Sequence, residues 1–504
     1  MNTEKKTPFY SQRLDEKYSL LNRSIGIDTQ TQSLSTRTIE SSNVITSDTL
    51  NGQQLTFNFT VSPSAYIDWN NSRMEIGFKF TNYQKTAVVE HANNKPTSSI
   101  PWNLLLYIFE EIKVKFNGTV ILNKVSSEYL ETQTFKLLTE YTNDDLNASE
   151  VVFAPVGDYN YNVGLAGGYS FDNTDISSND PNAKLRVLNW ISPMASSHAI
   201  IHYKRPTFKE LFFDMPGFSK NLRNVTIEVK LKDKITLPKI VNKAAVDRED
   251  LMIIKSMKLQ LHEYNFSPSA AISALNNKIN GEDEHLSFID VNKQDKVYGP
   301  YLIVTNQENI QWVAVTQFCH YVSSKVGANN GAQYQNCGQF LLLNGYGNAN
   351  ADAAVGNLLH RSDLPPTTNT NPPEARAGTA CANPISSIQA QYGNILYPSN
   401  AIETQVKGSS TLLKTDELYS EYKKAVGFKN PAVPEDIFKR TMPFFMVKFT
   451  PNIKLIQTGD ITIRMPGFGG TQNTGNKNVS IIYGQLKSYN ISPSGIVSET
   501  IPSY

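Results

Sequence analysis

YNFSPSA at residues 264–270 returns as YNISPSG at 489–495, nine residues before the last. In each copy Tyr-Asn (Tyr264 and Asn265, Tyr489 and Asn490) closes an alternating apolar stretch, and Ser-Pro-Ser follows. Proline has no N–H for a ladder and serine favours turns, so each copy reads as the end of a strand. A second echo lies upstream. MPGF occurs as Met215, Pro216, Gly217 and Phe218, and again as Met465, Pro466, Gly467 and Phe468. Each MPGF reads as the end of a strand, followed by an Asn-rich turn and a new strand opening on Asn-Val, at 224–225 and 478–479. SPSA also stands at 62–65, so part of the likeness is turn chemistry. The shared order of strand, MPGF, strand and YNxSPS is what argues for duplication. The offset is 225 residues for Tyr264 to Tyr489 and 250 for Met215 to Met465. Such a period is far above the roughly 20–50 residues of a solenoid or propeller, so the repeated unit is a whole domain.

Length agrees with that reading. A chain of 504 residues exceeds one ordinary core. The division expected is an extended N-terminal arm at 1–40, one domain at 41–270, a linker at 271–294 and a second domain at 295–504. Charged residues are 18% of the chain, below the usual quarter or so, and Asn, Ser, Thr and Gln fill the difference. The formal net charge is +1, without the positive excess of a broad nucleic-acid-binding face, so no specific nucleic-acid site is expected. Three cysteines, Cys319, Cys337 and Cys381, are too few to staple a chain of this size. No apolar signal segment opens the sequence, and runs such as LLLYIF (104–109) are far too short to span a membrane. The expectation is a soluble protein made in a reducing compartment.

Strand follows strand along the chain. QLTFNFTV (54–61) puts Leu55, Phe57, Phe59 and Val61 on one face, and MEIGFKF (74–80) alternates likewise. EIKVKFNGTVILNKV (111–125) reads as a hairpin turning at Asn117-Gly118, the pair favoured in type I′ turns. Further strands are expected at 199–204, 209–215, 224–233 and 256–266, and in the second half at 301–306, 310–318, 338–345, 444–451, 460–465 and 479–491. Helical pattern is confined to 127–141 and 415–428, the latter with Thr415 as N-cap and Gly427 near its end. Residues 142–184 and 325–410 read as long loops, one in each half.

Units of about 220 residues with some eight strands, short helices and long loops suit a mainly β fold of two tandem eight-stranded jelly rolls. With the paired MPGF and YNxSPS strand ends, the helices at 127–141 and 415–428 and the long loops, the chain resembles the double jelly-roll viral major capsid proteins, the group of adenovirus hexons and of virophage and Polinton-like virus capsid proteins. The resemblance covers roughly residues 40 to 504. It implies a homotrimer approximating a hexagon within an icosahedral shell, loops that form towers, an arm that ties neighbours together, and penton and minor capsid partners. It implies a virion location, with assembly in host cytoplasm or nucleus. Two other readings stay open: a single jelly-roll capsid protein with large insertions, and a β-sandwich that binds or hydrolyses carbohydrate.

Motifs for chemistry are missing. HAIIH (198–202) sets two histidines on one face of a strand without a following zinc-protease pattern, and FCH (318–320) has no further ligands at regular spacing. GYGNANADAAVG (345–356) carries Asn350 where a dinucleotide loop needs its third glycine, and GFGGTQNTGNK (467–477) lacks the ending of a P-loop. The carboxylates of NDD (143–145) and EDE (282–284) fall in expected loops. No catalytic residue, metal or cofactor is expected.

Overall fold

The computed structural model describes residues 31–43, 48–62, 65–82, 103–153, 201–214, 221–236, 250–267, 281, 283–297, 299–318, 340–341, 387–404, 415–435, 438, 444–449, 458–465 and 478–500. Nineteen strands among them form four antiparallel sheets, two from each half of the chain.

In the first half, β1 (Thr31–Ile39), β9 (Asp250–Phe266), β3 (Ala65–Asn82) and β6 (His202–Lys204) lie side by side in that order, with β8 (Ile235–Thr236) joined to β9. Opposite them run β2 (Gln54–Thr60), β7 (Asn224–Leu231), β4 (Phe109–Phe116) and β5 (Thr119–Val125). Alternation fixes which faces meet. Leu55, Phe57 and Phe59 of β2, Ile112, Val114 and Phe116 of β4 and Val225, Ile227 and Val229 of β7 are buried, with polar residues between them. The β4–β5 turn has Asn117 at φ 47 and Gly118 at φ 90, both left-handed as a type I′ hairpin requires.

The second half repeats this order. β10 (Glu284–Val297), β18 (Asn478–Ile491), β12 (Ile310–Phe318) and β13 (Phe340–Leu341) make one sheet, with β16 (Phe445–Lys448) on β12 and β19 (Val497–Thr500) on β18. β11 (Tyr301–Glu308), β17 (Thr458–Arg464), β14 (Ser387–Tyr392) and β15 (Ile395–Glu403) make the other. Strand for strand, β1-β9-β3 answers to β10-β18-β12, and β2-β7-β4-β5 answers to β11-β17-β14-β15. Each half is a jelly roll, and the chain is a double jelly roll. The reading as one jelly roll with insertions falls, because two complete sheet pairs are present.

Among the described residues five helices lie between the strands: α1 (Leu104–Tyr107), α2 (Ser126–Glu140), α3 (Asn143–Asn147), α4 (Phe208–Leu211) and α5 (Asp416–Val426). α2 and α5 are counterparts, following β5 and β15. α5 ends where Gly427 takes φ 72, the left-handed cap that glycine adopts without strain. Thr415 stands at its N-cap without a side-chain hydrogen bond.

Several expectations need correction. The arm expected through residue 40 gives way to β1 from Thr31, an edge strand with few apolar residues, held by its ladder to β9 and by the Arg37–Glu263 ion pair at 2.7 Å. The linker expected at 271–294 runs into β10 from Glu284. The loop expected at 325–410 contains the hairpin β14–β15, and the loop expected at 142–184 contains α3. The strand expected at 209–215 is instead helix α4 followed by irregular backbone. The cause is a capping box: Thr207 Oγ1 accepts from Glu210 N at 3.3 Å, and Glu210 Oε2 accepts from Thr207 N at 2.6 Å. Residues 1–30, 154–200, 319–339 and 342–386, which hold most of the expected arm and loops, lie outside the described residues.

Candidate functional site: the seam between the jelly rolls

Tyr264 and Tyr489 sit on equivalent strands, β9 and β18, and in equivalent register. Tyr264 stands opposite Leu34 of β1, and Tyr489 opposite Leu286 of β10. Asn265 and Asn490 follow them, opposite Ser33 and His285. After YN the second copy turns back: Gly495 N donates to Ser492 O at 2.8 Å, and Gly495 takes φ 88. β19 then pairs with Ser488–Ile491, the edge that in the first half is taken by the start of β3 at Ala65–Asp68.

The MPGF echo behaves differently. Met465 directly follows β17 and is buried, its N–H donating to Pro300 O at 2.8 Å. Met215, Pro216, Gly217 and Phe218 lie outside the described residues, but in the chain they precede β7, the counterpart of β17. In chain order, then, the first tetrapeptide precedes the strand whose counterpart the second follows. Pro466, Gly467 and Phe468 also lie outside the described residues.

The most elaborate constellation is the seam where the first jelly roll meets β10 and β18. α2 is its keystone. From Tyr129 to Leu138 every residue is buried, because α2 packs on its own jelly roll and on the other one. Towards its own half, three side chains donate to the last carbonyls of α4, groups that a helix end leaves without partners. Tyr129 Oη reaches Leu211 O at 2.9 Å, Gln133 Nε2 reaches Glu210 O at 2.7 Å, and Lys136 Nζ reaches Lys209 O at 2.7 Å. Burial lowers the pKa of Lys136 from the usual lysine value, opposed by nearby Glu140.

Towards the second half the seam is ionic at one end and aromatic at the other. β10 is an edge strand. Lys124, at the end of β5, donates to its backbone at Val291 O (2.9 Å) and to Asn292 Oδ1 (2.8 Å), and pairs with Asp290 at 3.2 Å. Asp290 also holds Lys487 at 3.0 Å. Lys293 pairs with Glu131 of α2 at 2.8 Å and with Asp295 at 2.9 Å. For both Lys293 and Lys487, burial alone disfavours the charged form, but the adjacent carboxylates outweigh it and the pKa is raised. A bare strand edge invites foreign strands, and here a lysine and a helix cover part of it.

At the aromatic end Phe213 stacks on Phe288, and Phe288 on Tyr489. Burial raises the pKa of Tyr489. Nearby, Asn221 Nδ2 donates to Ile491 O at 2.7 Å, Arg223 to Pro493 O at 2.7 Å, and Asn117 Nδ2 to Gly495 O at 2.8 Å. On the far side of α2, Tyr422 Oη of α5 donates to Leu138 O at 2.8 Å, and Phe444 packs edge-on against Phe135. One core cluster runs through both halves.

No metal-ligating cluster of three or more His, Cys, Asp or Glu occurs among the described residues. His202 of HAIIH lies on β6 beside the Phe78 ring, where burial lowers its pKa, and His198 is outside the described residues, as are all three cysteines. Asn143 of NDD donates to Ala432 O at 2.9 Å, and Glu284 of EDE accepts from Asn221 N at 3.0 Å, so both serve the contact between halves. No described helix is long and apolar enough to cross a membrane.

No protein-family model and no curated protein sequence matches this chain. Among solved structures, a chain of the Sputnik virophage determined by cryo-electron microscopy is 10% identical; the match covers 95% of this chain and 91% of that one, with a TM-score of 0.52. VP54 of PBCV-1, fitted into a reconstruction of the virophage Sputnik, is 9% identical over 96% of this chain and 100% of its own, with a TM-score of 0.48. The mavirus major capsid protein is 11% identical over 100% of this chain and 96% of its own, with a TM-score of 0.41. At these identities the likeness is one of fold, and of these three it rests on the Sputnik match, over 95% of the chain.

Proposed function

We propose that the chain is a viral major capsid protein whose work is mechanical. Its two jelly rolls form one rigid tile, and three tiles close into a trimeric, pseudo-hexagonal capsomer of an icosahedral shell. The observation that supports this is duplication with a built seam: two jelly rolls of one topology joined by buried ion pairs, stacked rings and backbone hydrogen bonds. A tile must transmit load between neighbours without its lobes shifting, and such a seam gives that rigidity. The fold shared with the Sputnik virophage chain agrees.

On this reading the N-terminal arm ties neighbouring capsomers together, the long loops expected within 142–184 and 325–410 supply towers, and penton and minor capsid proteins complete a shell assembled in host cytoplasm or nucleus. The chain does no catalysis. The test is the purified protein in solution. Light scattering is expected to give three times the mass of the chain at micromolar concentration, with subunit contacts above the roughly 2,000 Å² of permanent interfaces. Negative-stain images are expected to show particles of near-hexagonal outline. A stable monomer, or hydrolysis of a glycan by the purified protein, would sink the reading.

A further inference from the structure

Lys124, next to last in β5 of the first jelly roll, reaches Asn292 on β10 of the second. Its Nζ stands 2.8 Å from Asn292 Oδ1, 2.9 Å from Val291 O, 3.2 Å from Asp290 Oδ1 and 3.3 Å from Glu128 Oε1. The lysine side chain is 7% exposed and that of Asp290 6%, so amine, amide and carboxylate meet where little water enters. Asp290 Oδ1 is buried, faces Nζ and makes no hydrogen bond. Its other oxygen is held by Lys487 at 3.0 Å. Asn292 Nδ2 points away from the lysine, towards Gln485 Oε1 at 3.5 Å.

Two other buried lysines show what anchoring alone requires. Lys136 donates to a backbone carbonyl beside Glu140, and Lys293 meets the carboxylates of Glu131 and Asp295. Neither holds a side-chain amide at hydrogen-bond distance. Lys124 does, and a buried amine against an amide carbonyl, with a carboxylate on the amine, is the set of groups that amide exchange needs. The amide carbon lies one carbonyl bond, about 1.2 Å, behind Oδ1, so it is within about 4 Å of Nζ. Reaction needs about 3–3.5 Å, and a turn of the Asn292 amide, whose terminal torsion is soft, covers the difference.

We propose that Lys124 and Asn292 join in an isopeptide bond that locks the two jelly rolls together covalently, with Asp290 as the proton carrier. Asp290 takes a proton from the Lys124 ammonium, and the freed lone pair on Nζ attacks Asn292 Cγ. The Nζ–Cγ bond forms and the Cγ–Nδ2 bond breaks. A second proton passes from Nζ to Nδ2, which leaves as ammonia and carries off the proton lent to Asp290 as ammonium. One amide replaces another, so the step needs no oxidant, cofactor or energy source. It runs once and consumes its own side chains, which does not make the chain an enzyme. The bond joins residues 168 positions apart, restricting the unfolded chain, and it fastens the edge strand β10 to the first jelly roll. It lies within one chain and does not rest on the capsomer reading.

The test is the mass of the wild-type chain, measured denatured, both fresh and after a week of storage in the folded state. The chain is expected to become lighter than its sequence by one ammonia, and a protease digest to give a branched peptide containing Lys124 and Asn292. Lys124→Met and Asn292→Ala are expected to keep the full mass, with circular dichroism to verify folding. Asp290→Asn keeps the shape of the carboxylate and removes the base, and linkage is expected to slow by about a hundredfold or more. A wild-type chain of full mass after storage overturns the proposal, whatever the variants do. So does ammonia lost at an Asn-Gly pair while Lys124 and Asn292 stay in separate peptides. Linkage undiminished in Asp290→Asn overturns the part given to Asp290. Every reading is taken on single denatured chains, so a failure here leaves the trimer to be judged on its own.

Discussion

Phe213 lies stacked on Phe288, ring centroids 4.2 Å apart and planes 15° from parallel, so that one ring from each jelly roll forms the contact. Phe116 meets Phe213 edge-on at 6.0 Å, and Tyr489 stacks with Phe288 at 5.9 Å. The column is buried from end to end. Phe288→Ala is expected to lower stability by about 3–5 kcal/mol, the usual loss for a phenylalanine removed from a packed core. A double-mutant cycle with Phe213→Ala is expected to show a coupling of about 0.5–1.5 kcal/mol for the stack itself, measured by denaturant unfolding.

The pairing of Lys293 with Glu131 makes a charge-sensitive prediction. Glu131 is fully buried, so Lys293→Met leaves a carboxylate without its main counter-ion, at an expected loss of about 3–5 kcal/mol. Replacing both, as Lys293→Met with Glu131→Leu, is expected to recover most of that loss. The pH dependence follows from the raised pKa of Lys293 in the folded chain. Folded protein holds this proton more tightly than unfolded chain does. The pair's stabilisation is therefore complete below the ordinary lysine value of 10.5 and fades as pH rises through the higher folded value. Between pH 10 and 12 the melting temperature of the wild type is expected to fall more steeply than that of the double variant.

Asn117 links a turn to a seam. Its Oδ1 accepts from the backbone N–H of Arg223 at 2.9 Å and of Asn224 at 2.8 Å, while its Nδ2 donates across the seam to Gly495 O. Asparagine also tolerates the left-handed φ found here. Asn117→Asp keeps the two accepted bonds but sets an oxygen against the carbonyls of Gly495 and Asn221, whereas Asn117→Ala loses all four bonds. The expected losses are about 1 kcal/mol and about 2–3 kcal/mol respectively, by thermal or denaturant unfolding.

Gly484 of β18 is a position where only glycine fits. A Cβ there would meet Trp312 Nε1 at 2.4 Å and Cε2 at 2.5 Å, and Ile289 Cγ2 at 2.9 Å. Trp312 is buried on the adjacent strand and has little room to retreat. Gly484→Ala is expected to destabilise by about 1–3 kcal/mol, and Trp312→Phe in the same chain to relieve part of that loss by opening space. Tryptophan fluorescence and unfolding curves read both effects.

Among the strands, those with strict alternation were legible. β2, β7 and most of β4 bury every second side chain against one core, so period-two reading found them within a residue or two, and β5, which buries Ile121 and Leu122 in succession, was marked by its Asn-Gly turn. β1 escaped because TQSLSTRTI is an edge strand whose apolar content is little more than Leu34 and Ile39. β10 escaped for another reason. Its outward face continues from Leu286 and Phe288 into Asp290, Asn292 and Gln294, which are polar yet mostly covered, since Lys124 and Lys487 supply the partners. The capping box TFKE at 207–210 stood in the sequence and was read through as part of a strand region. The alternation of Ile388, Ala390 and Tyr392 before the turn at Gly393 was also available, but lay inside a region read as loop.

By itself the sequence determined the kind of unit and the number of its copies. Alternating apolar residues, Asn-Gly and Ser-Pro-Ser turns and the recurring Tyr-Asn are local signals, because backbone geometry and side-chain period act over a few residues. Tertiary structure alone decided which polar strand was buried and which corresponding positions met different surroundings. Tyr264 and Tyr489 share a register, yet Tyr489 is buried in the stack with Phe288 and Tyr264 is half-buried. That difference arises from Phe213, Lys124 and Asn117, residues at least 73 positions from Leu286 in the chain. Contacts at such separations are set by how whole sheets pack, and no window of sequence contains both partners.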